Sequence, residues 1–132
     1  LPYLAEASGA TYVARWTTFH VRQLARSMKE ALSKEGFCFI EVISPCPTLY
    51  QRRNKMGDGL DAMKFYKEKS KIRNGAPTAE VGLDISSNII VGKFVDRERP
   101  SYFGTMHHQL RERLGERYAC LEEEEEEGVT CQ

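Results

Sequence analysis

The sequence has few of the features that mark membrane, fibrous or disordered proteins. No uninterrupted apolar run approaches the roughly 20 residues that a membrane-spanning helix needs, and no signal peptide is recognisable at the start. Glycine and proline are not enriched, with 10 and 5 residues in 132, which excludes collagen-like and low-complexity proteins. Hydrophobic residues make up 41%, enough for one ordinary core. We therefore expect a soluble, cytoplasmic protein that makes no membrane contact.

Cysteines are also few, and their spacing excludes a structural zinc site. There are four, at positions 38, 46, 120 and 131, with no C-x-x-C pair among them. A cytosolic protein is not expected to form disulfides. Cys38 lies inside an apolar run and is predicted to be a core residue, whereas Cys46 follows that run on a loop stiffened by Pro45 and Pro47. Taken alone, such a loop cysteine is more often inert than functional.

A net charge of zero hides an uneven distribution. Six of the 19 acidic residues form one block at 122–127, which leaves 13 acidic residues against 19 basic ones elsewhere. Residues 52–73, here called the basic segment, hold eight lysines and arginines against Asp58, Asp61 and Glu68. Such a patch speeds encounters with an acidic partner, less so at high salt. One interpretation is a non-catalytic binding module, but interleaved aromatics and nucleic-acid motifs are missing, so no nucleic acid partner is expected.

Hydrophobic periodicity predicts a strand, a helix and a second strand in the first third of the chain. Residues 11–14 are β-prone, and residues 37–43 are nearly all apolar, as in a strand covered on both faces. Between them lies an amphipathic helical stripe, which we expect to face the sheet: Val21, Leu24, Ala25, Met28 and Leu32. Strand, helix, strand is the βαβ pattern of parallel sheets. Ligands bind beyond the carboxyl ends of such strands, so position alone favours a site at Cys46.

The remaining pattern completes an α/β prediction. A further strand is predicted at 89–95, and another helix is predicted from about Ser101. We expect a partial parallel sheet with flanking helices over residues 1–118. An acidic and disordered tail is expected at 119–132, because the glutamate block and the closing residues lack periodicity.

The triplet Gly57-Asp58-Gly59 needs separate consideration. With a downstream asparagine such as Asn88, it is similar to the signature that holds Mg²⁺ against thiamine diphosphate. That signature follows a buried strand, whereas this triplet follows the polar residues 52–56. We therefore predict that Asp58 caps a helix and binds no metal.

Two segments, 9–15 (GATYVAR) and 36–48 (GFCFIEVISPCPT), resemble the β subunits of 2-oxoacid:ferredoxin oxidoreductases in their order and spacing. Residues 52–58 (RRNKMGD) and 91–102 (VGKFVDRERPSY) are most similar to the 2-oxoglutarate branch. The resemblance runs from about residue 1 to 115. It covers the carboxyl-terminal part of the thiamine-diphosphate-binding domain, which is about half of such a subunit.

The resemblance implies an enzyme that contains thiamine diphosphate, Mg²⁺ and a 4Fe–4S cluster. Such an enzyme decarboxylates a 2-oxoacid, transfers the acyl group to coenzyme A and passes electrons through the cluster to ferredoxin. A separate α subunit is implied as a partner. By the same resemblance Cys46 is a cluster ligand, and the other three ligands lie in the part of the subunit not matched here. Cys38, Cys120 and Cys131 are not at matching positions, so the fragment alone is expected to be inactive.

Arg52 and Arg53 lie just past the Cys46 loop and are candidate substrate-binding residues. Charge-assisted hydrogen bonds from them would suit the distal carboxylate of 2-oxoglutarate or the phosphates of coenzyme A. The alternative is that both are ordinary surface residues. A pyruvate or branched-chain 2-oxoacid enzyme is the alternative within the same family.

Overall fold

The structure is a computed structural model that describes residues 1–84 and 86–118. The chain divides into two compact units, Leu1–Arg99 and Pro100–Gln132. The larger elements of the first unit are α1 (Pro2–Ala7), β1 (Tyr12–Thr17), α2 (Val21–Leu32), β2 (Cys38–Ile43), α3 (Gly59–Lys69), β3 (Ser70–Ile72) and β4 (Ile89–Asp96).

The first unit is built on a four-stranded sheet with the order β2-β1-β4-β3. Strands β1 and β2 are parallel and α2 joins them, which confirms the predicted βαβ unit and the α/β class. Strand β4 is antiparallel to β1, and β3 is parallel to β4. The sheet is therefore mixed rather than wholly parallel. The apolar pattern of a strand does not show in which direction the strand runs. The direction depends on the end of the sheet at which the preceding connection enters the strand.

Strand β1 is the centre of the fold, and all six of its residues are buried. Alternate side chains point to opposite faces of a sheet, so β1 contributes to two cores. On one face Tyr12, Ala14 and Trp16 pack with Tyr66 and residues of β4. On the other face the core consists of Ala5, Ala10, Val13, Ala76, Val81, Phe94 and Val95.

Helix α2 faces the sheet with a different side from the one that its apolar stripe predicts. Ser27 is buried and accepts a hydrogen bond of 2.8 Å from Nε1 of Trp16, and Glu30 accepts one of 2.9 Å from the hydroxyl of Tyr12. Buried polar groups need partners, so these two bonds fix the rotation of the helix. The prediction was wrong for most of the stripe, because the side chains left exposed include Val21, Met28 and Leu32.

Strand β2 is also less covered than predicted. Its residues are half-buried, apart from the exposed Val42, and within the described residues only β1 pairs with it. The expectation of a strand covered on both faces was wrong. An apolar run shows that a strand is suited to burial, but neighbouring elements decide whether burial occurs.

The start of α3 confirms the prediction that Asp58 caps a helix. Its Oδ1 atom accepts the N–H groups of Leu60 at 2.8 Å and Asp61 at 3.1 Å. In the reciprocal hydrogen bond, Oδ2 of Asp61 accepts the N–H of Asp58 at 3.2 Å. This is a capping box, which satisfies N–H groups that a helix start leaves unpaired. The Oδ1 atom of Asp58 thus serves as the cap of α3.

The second unit contains α4 (Tyr102–Leu114), which begins at the predicted position. Ser101 caps it by accepting the N–H of Gly104 at 3.0 Å. None of the helices within residues 1–84 and 86–118 is long and apolar enough to cross a membrane. The predicted acidic tail at 119–132 lies outside the described residues.

Candidate functional site

The loop after β2 places Cys46 at the carboxyl end of two parallel strands. Strand β2 ends at Ile43, and the chain then runs through Cys46 into a π-helical turn, Pro47–Gln51. The carbonyl of Cys46 accepts the N–H of Gln51 at 3.1 Å. Pro47 suits the first position of the turn because that position needs no N–H donor.

The environment of Cys46 favours its thiolate. Its side chain is exposed, and the N–H of Tyr50, followed by that of Leu49, lowers the pKa of the thiol below its ordinary value. Backbone N–H groups at the start of a helical turn carry partial positive charge, which stabilises an adjacent anion. The thiolate is the form of cysteine that acts as a nucleophile and as a metal ligand.

Alkylation of Cys46 by iodoacetamide should reveal this lowered pKa. At a pH below the ordinary thiol pKa, a lowered pKa leaves a larger fraction of thiolate, so the pH–rate profile should reach its midpoint at a lower pH in the folded chain than in urea. Peptide mapping by mass spectrometry separates Cys46 from the other cysteines. Coinciding profiles for the folded and urea-unfolded chain would contradict the prediction.

Cys46 lines a cavity of about 720 Å³ beyond the end of β2. Most of its wall is apolar, with Ile43 from the end of β2 and Phe65 from α3. The polar lining includes Gln51 and Lys64. The thiol-bearing loop and α3 therefore share one concave site, which is the usual form of a ligand site.

Arg52 and Arg53 follow the π-helical turn directly. Both are exposed, and neither is among the described residues that line the cavity. Lys64, another member of the basic segment, does line it and lies 3.4 Å from the carboxylate of Asp61. The structure therefore brings Cys46 together with one of the eight lysines and arginines of the basic segment, and places the two predicted arginines outside the cavity wall.

A 4Fe–4S cluster is held by four cysteine thiolates, which the described residues do not supply together. Within residues 1–84 and 86–118, no group of three or more His, Cys, Asp or Glu side chains could hold a metal ion. Cys38 is half-buried, with its sulfur 3.5 Å from the carbonyl of Ala31 and 3.6 Å from Oγ1 of Thr11. The described chain thus offers one exposed cysteine, Cys46, which fits a cluster whose other ligands come from elsewhere.

Two features of the structure, one of them in the cavity wall, were not predicted from the sequence. Gln51 is buried although its neighbours on the loop are exposed, and no pattern in the sequence signals it. Arg15 on β1 and Glu41 on β2 form a buried ion pair, with Nε and Oε2 2.5 Å apart. The sequence did contain a signal for this pair, because each of the two apolar strands carries a single charged residue. Buried charges are normally paired, so these two residues could have been expected to meet.

Comparison with known proteins gives related sequences and a related fold. No family model matches the chain. It is 46% identical over 111 residues to the 2-oxoglutarate synthase subunit KorB of Methanocaldococcus jannaschii, which is 84% of this chain and 40% of that protein. It is 43% identical over 115 residues to the KorB subunit of Methanothermobacter thermautotrophicus, or 87% and 40% of the two chains. The chain thus spans about two fifths of the length of these relatives.

A solved structure shares the fold. It is a 2-oxoglutarate:ferredoxin oxidoreductase from Magnetococcus marinus with 2-oxoglutarate, coenzyme A and succinyl-CoA bound. The match has a TM-score of 0.59 and 20% identity, and covers 96% of this chain and 43% of the other. Together with the sequence relatives, it confirms the resemblance to the β subunits of 2-oxoacid:ferredoxin oxidoreductases. Within that class, the chain is similar to KorB subunits of 2-oxoglutarate synthase, the branch that the sequence predicted.

Proposed function

We propose that this chain is part of the β subunit of a cytoplasmic 2-oxoglutarate:ferredoxin oxidoreductase. The complete enzyme would release CO₂ from 2-oxoglutarate, transfer the remaining acyl group to coenzyme A and pass two electrons to ferredoxin. The similarity to KorB subunits over more than four fifths of the chain supports the substrate class. Residues 1–118 would then be the carboxyl-terminal part of the thiamine-diphosphate-binding domain, followed by the acidic residues 119–132.

The observation that carries this proposal is the setting of Cys46. An exposed thiol with a lowered pKa lies on a proline-flanked loop at the carboxyl end of β2 and lines the cavity. A loop of this kind can hold one ligand of a 4Fe–4S cluster at a fixed depth, and such fixing tunes the reduction potential of the cluster. Cys46 is therefore assigned as one cluster ligand, and the other three would come from outside the described residues.

Thiamine diphosphate and Mg²⁺ would be held outside the described residues. When bound, the cofactor supplies the electron sink that decarboxylation of a 2-oxoacid requires. Asp58 and Asn88 resemble Mg²⁺ ligands by motif, and Oδ1 of Asp58 already accepts the two N–H groups at the start of α3. The contribution of this chain is to supply one thiolate and part of the wall of the site.

The basic segment is a candidate surface for the redox partner. Most of its lysines and arginines are exposed, and Lys64 connects it to the cavity that Cys46 lines. Ferredoxins that serve such enzymes are typically acidic, so the charges are complementary and would speed the encounter. A partner α subunit would complete the enzyme.

The direct test is the activity of the assembled enzyme that contains this chain. We expect reduction of ferredoxin that requires both 2-oxoglutarate and coenzyme A, and that weakens as the ionic strength rises. Measuring the rate with pyruvate and with branched-chain 2-oxoacids in parallel decides the substrate. A higher kcat/KM for pyruvate than for 2-oxoglutarate would overturn the assignment to the 2-oxoglutarate branch.

Replacing Arg52 and Arg53 together with alanine tests their role in substrate binding. If they bind the distal carboxylate, KM for 2-oxoglutarate should rise about tenfold or more, because a hydrogen bond to a charged group is worth about 1.5–3 kcal/mol. KM for a 2-oxoacid without a second carboxylate should change little. The matched control is Lys67→Ala with Lys71→Ala, which removes equal charge from the same basic segment. Equal effects on both substrates would exclude this role.

A further inference from the structure

Gln51 is an unusual residue for its position in the chain. Residues 44–61, all of which the structure describes, form a largely exposed stretch between β2 and the body of α3, and Gln51 is the one buried residue among them. Only 5% of it is exposed. A loop that buries a single polar side chain uses that side chain to hold its conformation, because burial of an amide is unfavourable unless it is hydrogen-bonded.

Three hydrogen bonds connect Gln51 to both ends of the loop. Its backbone N–H donates to the carbonyl of Cys46 at 3.1 Å, and its carbonyl accepts the N–H of Met56 at 2.9 Å. Its side-chain Nε2 donates to the carbonyl of Asp58 at 2.9 Å. Asp58 is the residue that caps α3, so Gln51 links the Cys46 turn directly to the start of that helix.

The other half of the Gln51 amide has no partner. Oε1 is buried and accepts no hydrogen bond within the described part of the chain, although Gln51 lines the cavity. Nε2 faces a carbonyl oxygen, and this contact fixes which end of the amide is the nitrogen. Leaving a buried amide oxygen without a hydrogen bond costs free energy, which is not expected of a side chain that only fills space. The unpaired oxygen therefore points to a role in the site.

We propose that Gln51 is a positioning residue, which clamps the Cys46 loop to the start of α3 and so holds the sulfur of Cys46 in one place beside the cavity. This inference rests on the proposed function insofar as Cys46 is taken as a cluster ligand. The clamp itself is a property of the loop and can be measured without the cluster.

Hydrogen exchange of the full chain tests the clamp. Gln51→Met keeps the shape of the side chain but removes the donor to Asp58 together with the unpaired acceptor, so the melting temperature should hardly change. Exchange of the amides in residues 47–58 should become several-fold faster, while exchange in β1 stays the same. The control is Leu60→Ala, a truncation at an exposed position in the first turn of α3. Unchanged exchange in residues 47–58 would overturn the proposal.

A second experiment, in the assembled holoenzyme, tests whether the clamp holds the Cys46 sulfur in place. It measures the midpoint potential and the electron paramagnetic resonance spectrum of the cluster. With Gln51→Met, iron content should be retained, while the potential shifts and the spectrum broadens, because the ligand sulfur is no longer held in one place. If Cys46 is a cluster ligand, faster exchange without any change in the cluster would mean that Gln51 is merely structural, and would overturn the positioning role. If Gln51→Met does not fold, Gln51→Glu removes the same donor and is judged by the same measurements. Should Cys46 prove not to be a ligand, the exchange result still stands and only the proposed function fails.

Discussion

The Cys46→Ser enzyme should lose most of its cluster iron and sulfide, and with them the reduction of ferredoxin. The lowered pKa of the Cys46 thiol makes the thiolate available for iron, whereas a serine hydroxyl does not ionise at neutral pH. A cluster that keeps three of four ligands is exposed to solvent at the open position and is readily degraded. We expect at least about a tenfold loss of ferredoxin reduction, the lower end of what loss of a supporting metal contact costs. Iron and sulfide analysis and the spectrum of the reduced enzyme measure the loss.

Cys38→Ser is the matched control for this substitution. Cys38 is also in the β2 region, but its sulfur lies next to the carbonyl of Ala31 and the hydroxyl of Thr11, contacts that a serine hydroxyl can keep. Its iron content and activity should stay close to those of the unaltered enzyme. A Cys46→Ser enzyme with full iron and sulfide and an unchanged spectrum would remove the main support for the proposed function.

The Arg15→Met substitution should lower the free energy of unfolding by about 3–5 kcal/mol, the usual cost of removing one partner of a buried ion pair. The side chains of Arg15 and Glu41 are 1% and 15% exposed, so the carboxylate would be left without its charge partner in a largely buried position. Arg15 also donates to the carbonyl of Val81 at 2.6 Å. That bond connects β1 to the segment before β4, and its loss adds to the cost. Urea unfolding with linear extrapolation measures the change.

Two further variants separate this effect from a general loss of charge. In the double variant Arg15→Met with Glu41→Leu no charge is left buried, so we expect it to recover at least about 1 kcal/mol relative to Arg15→Met alone. Lys64→Met breaks an exposed pair with Asp61, and its effect should stay within about 0.5 kcal/mol. A double variant less stable than Arg15→Met would show that the pair is not the source of the effect.

Several features of the site were correctly predicted from the sequence because they depend on neighbours along the chain. Asp58 caps α3 through hydrogen bonds to residues two and three positions further on. Its role as a cap could therefore be predicted from the residues next to it in the sequence. Cys46 follows an apolar strand that a helix joins to the preceding strand, and this order alone puts it at the carboxyl end of a parallel pair. Local order along the chain therefore predicted both features.

The errors arose where distant residues compete for the same contact. The apolar stripe of α2 favours one rotation of the helix, but Trp16 and Tyr12 need hydrogen-bond partners and select the rotation that offers Ser27 and Glu30. Likewise, the pattern of β2 shows its suitability for burial, whereas the number of neighbouring strands sets its actual exposure.

Four features could be predicted from the sequence: the α/β class, the βαβ unit, the capped start of α3 and the loop position of Cys46. Four others became visible only in the folded chain: the mixed direction of the sheet, the rotation of α2, the pairing of Arg15 with Glu41 and the burial of Gln51 beside the cavity. The first group follows from local residue patterns and from the order of the elements along the chain. The second group depends on which distant groups satisfy each other's charge and hydrogen-bonding needs once the chain is compact, and that choice is made only in three dimensions.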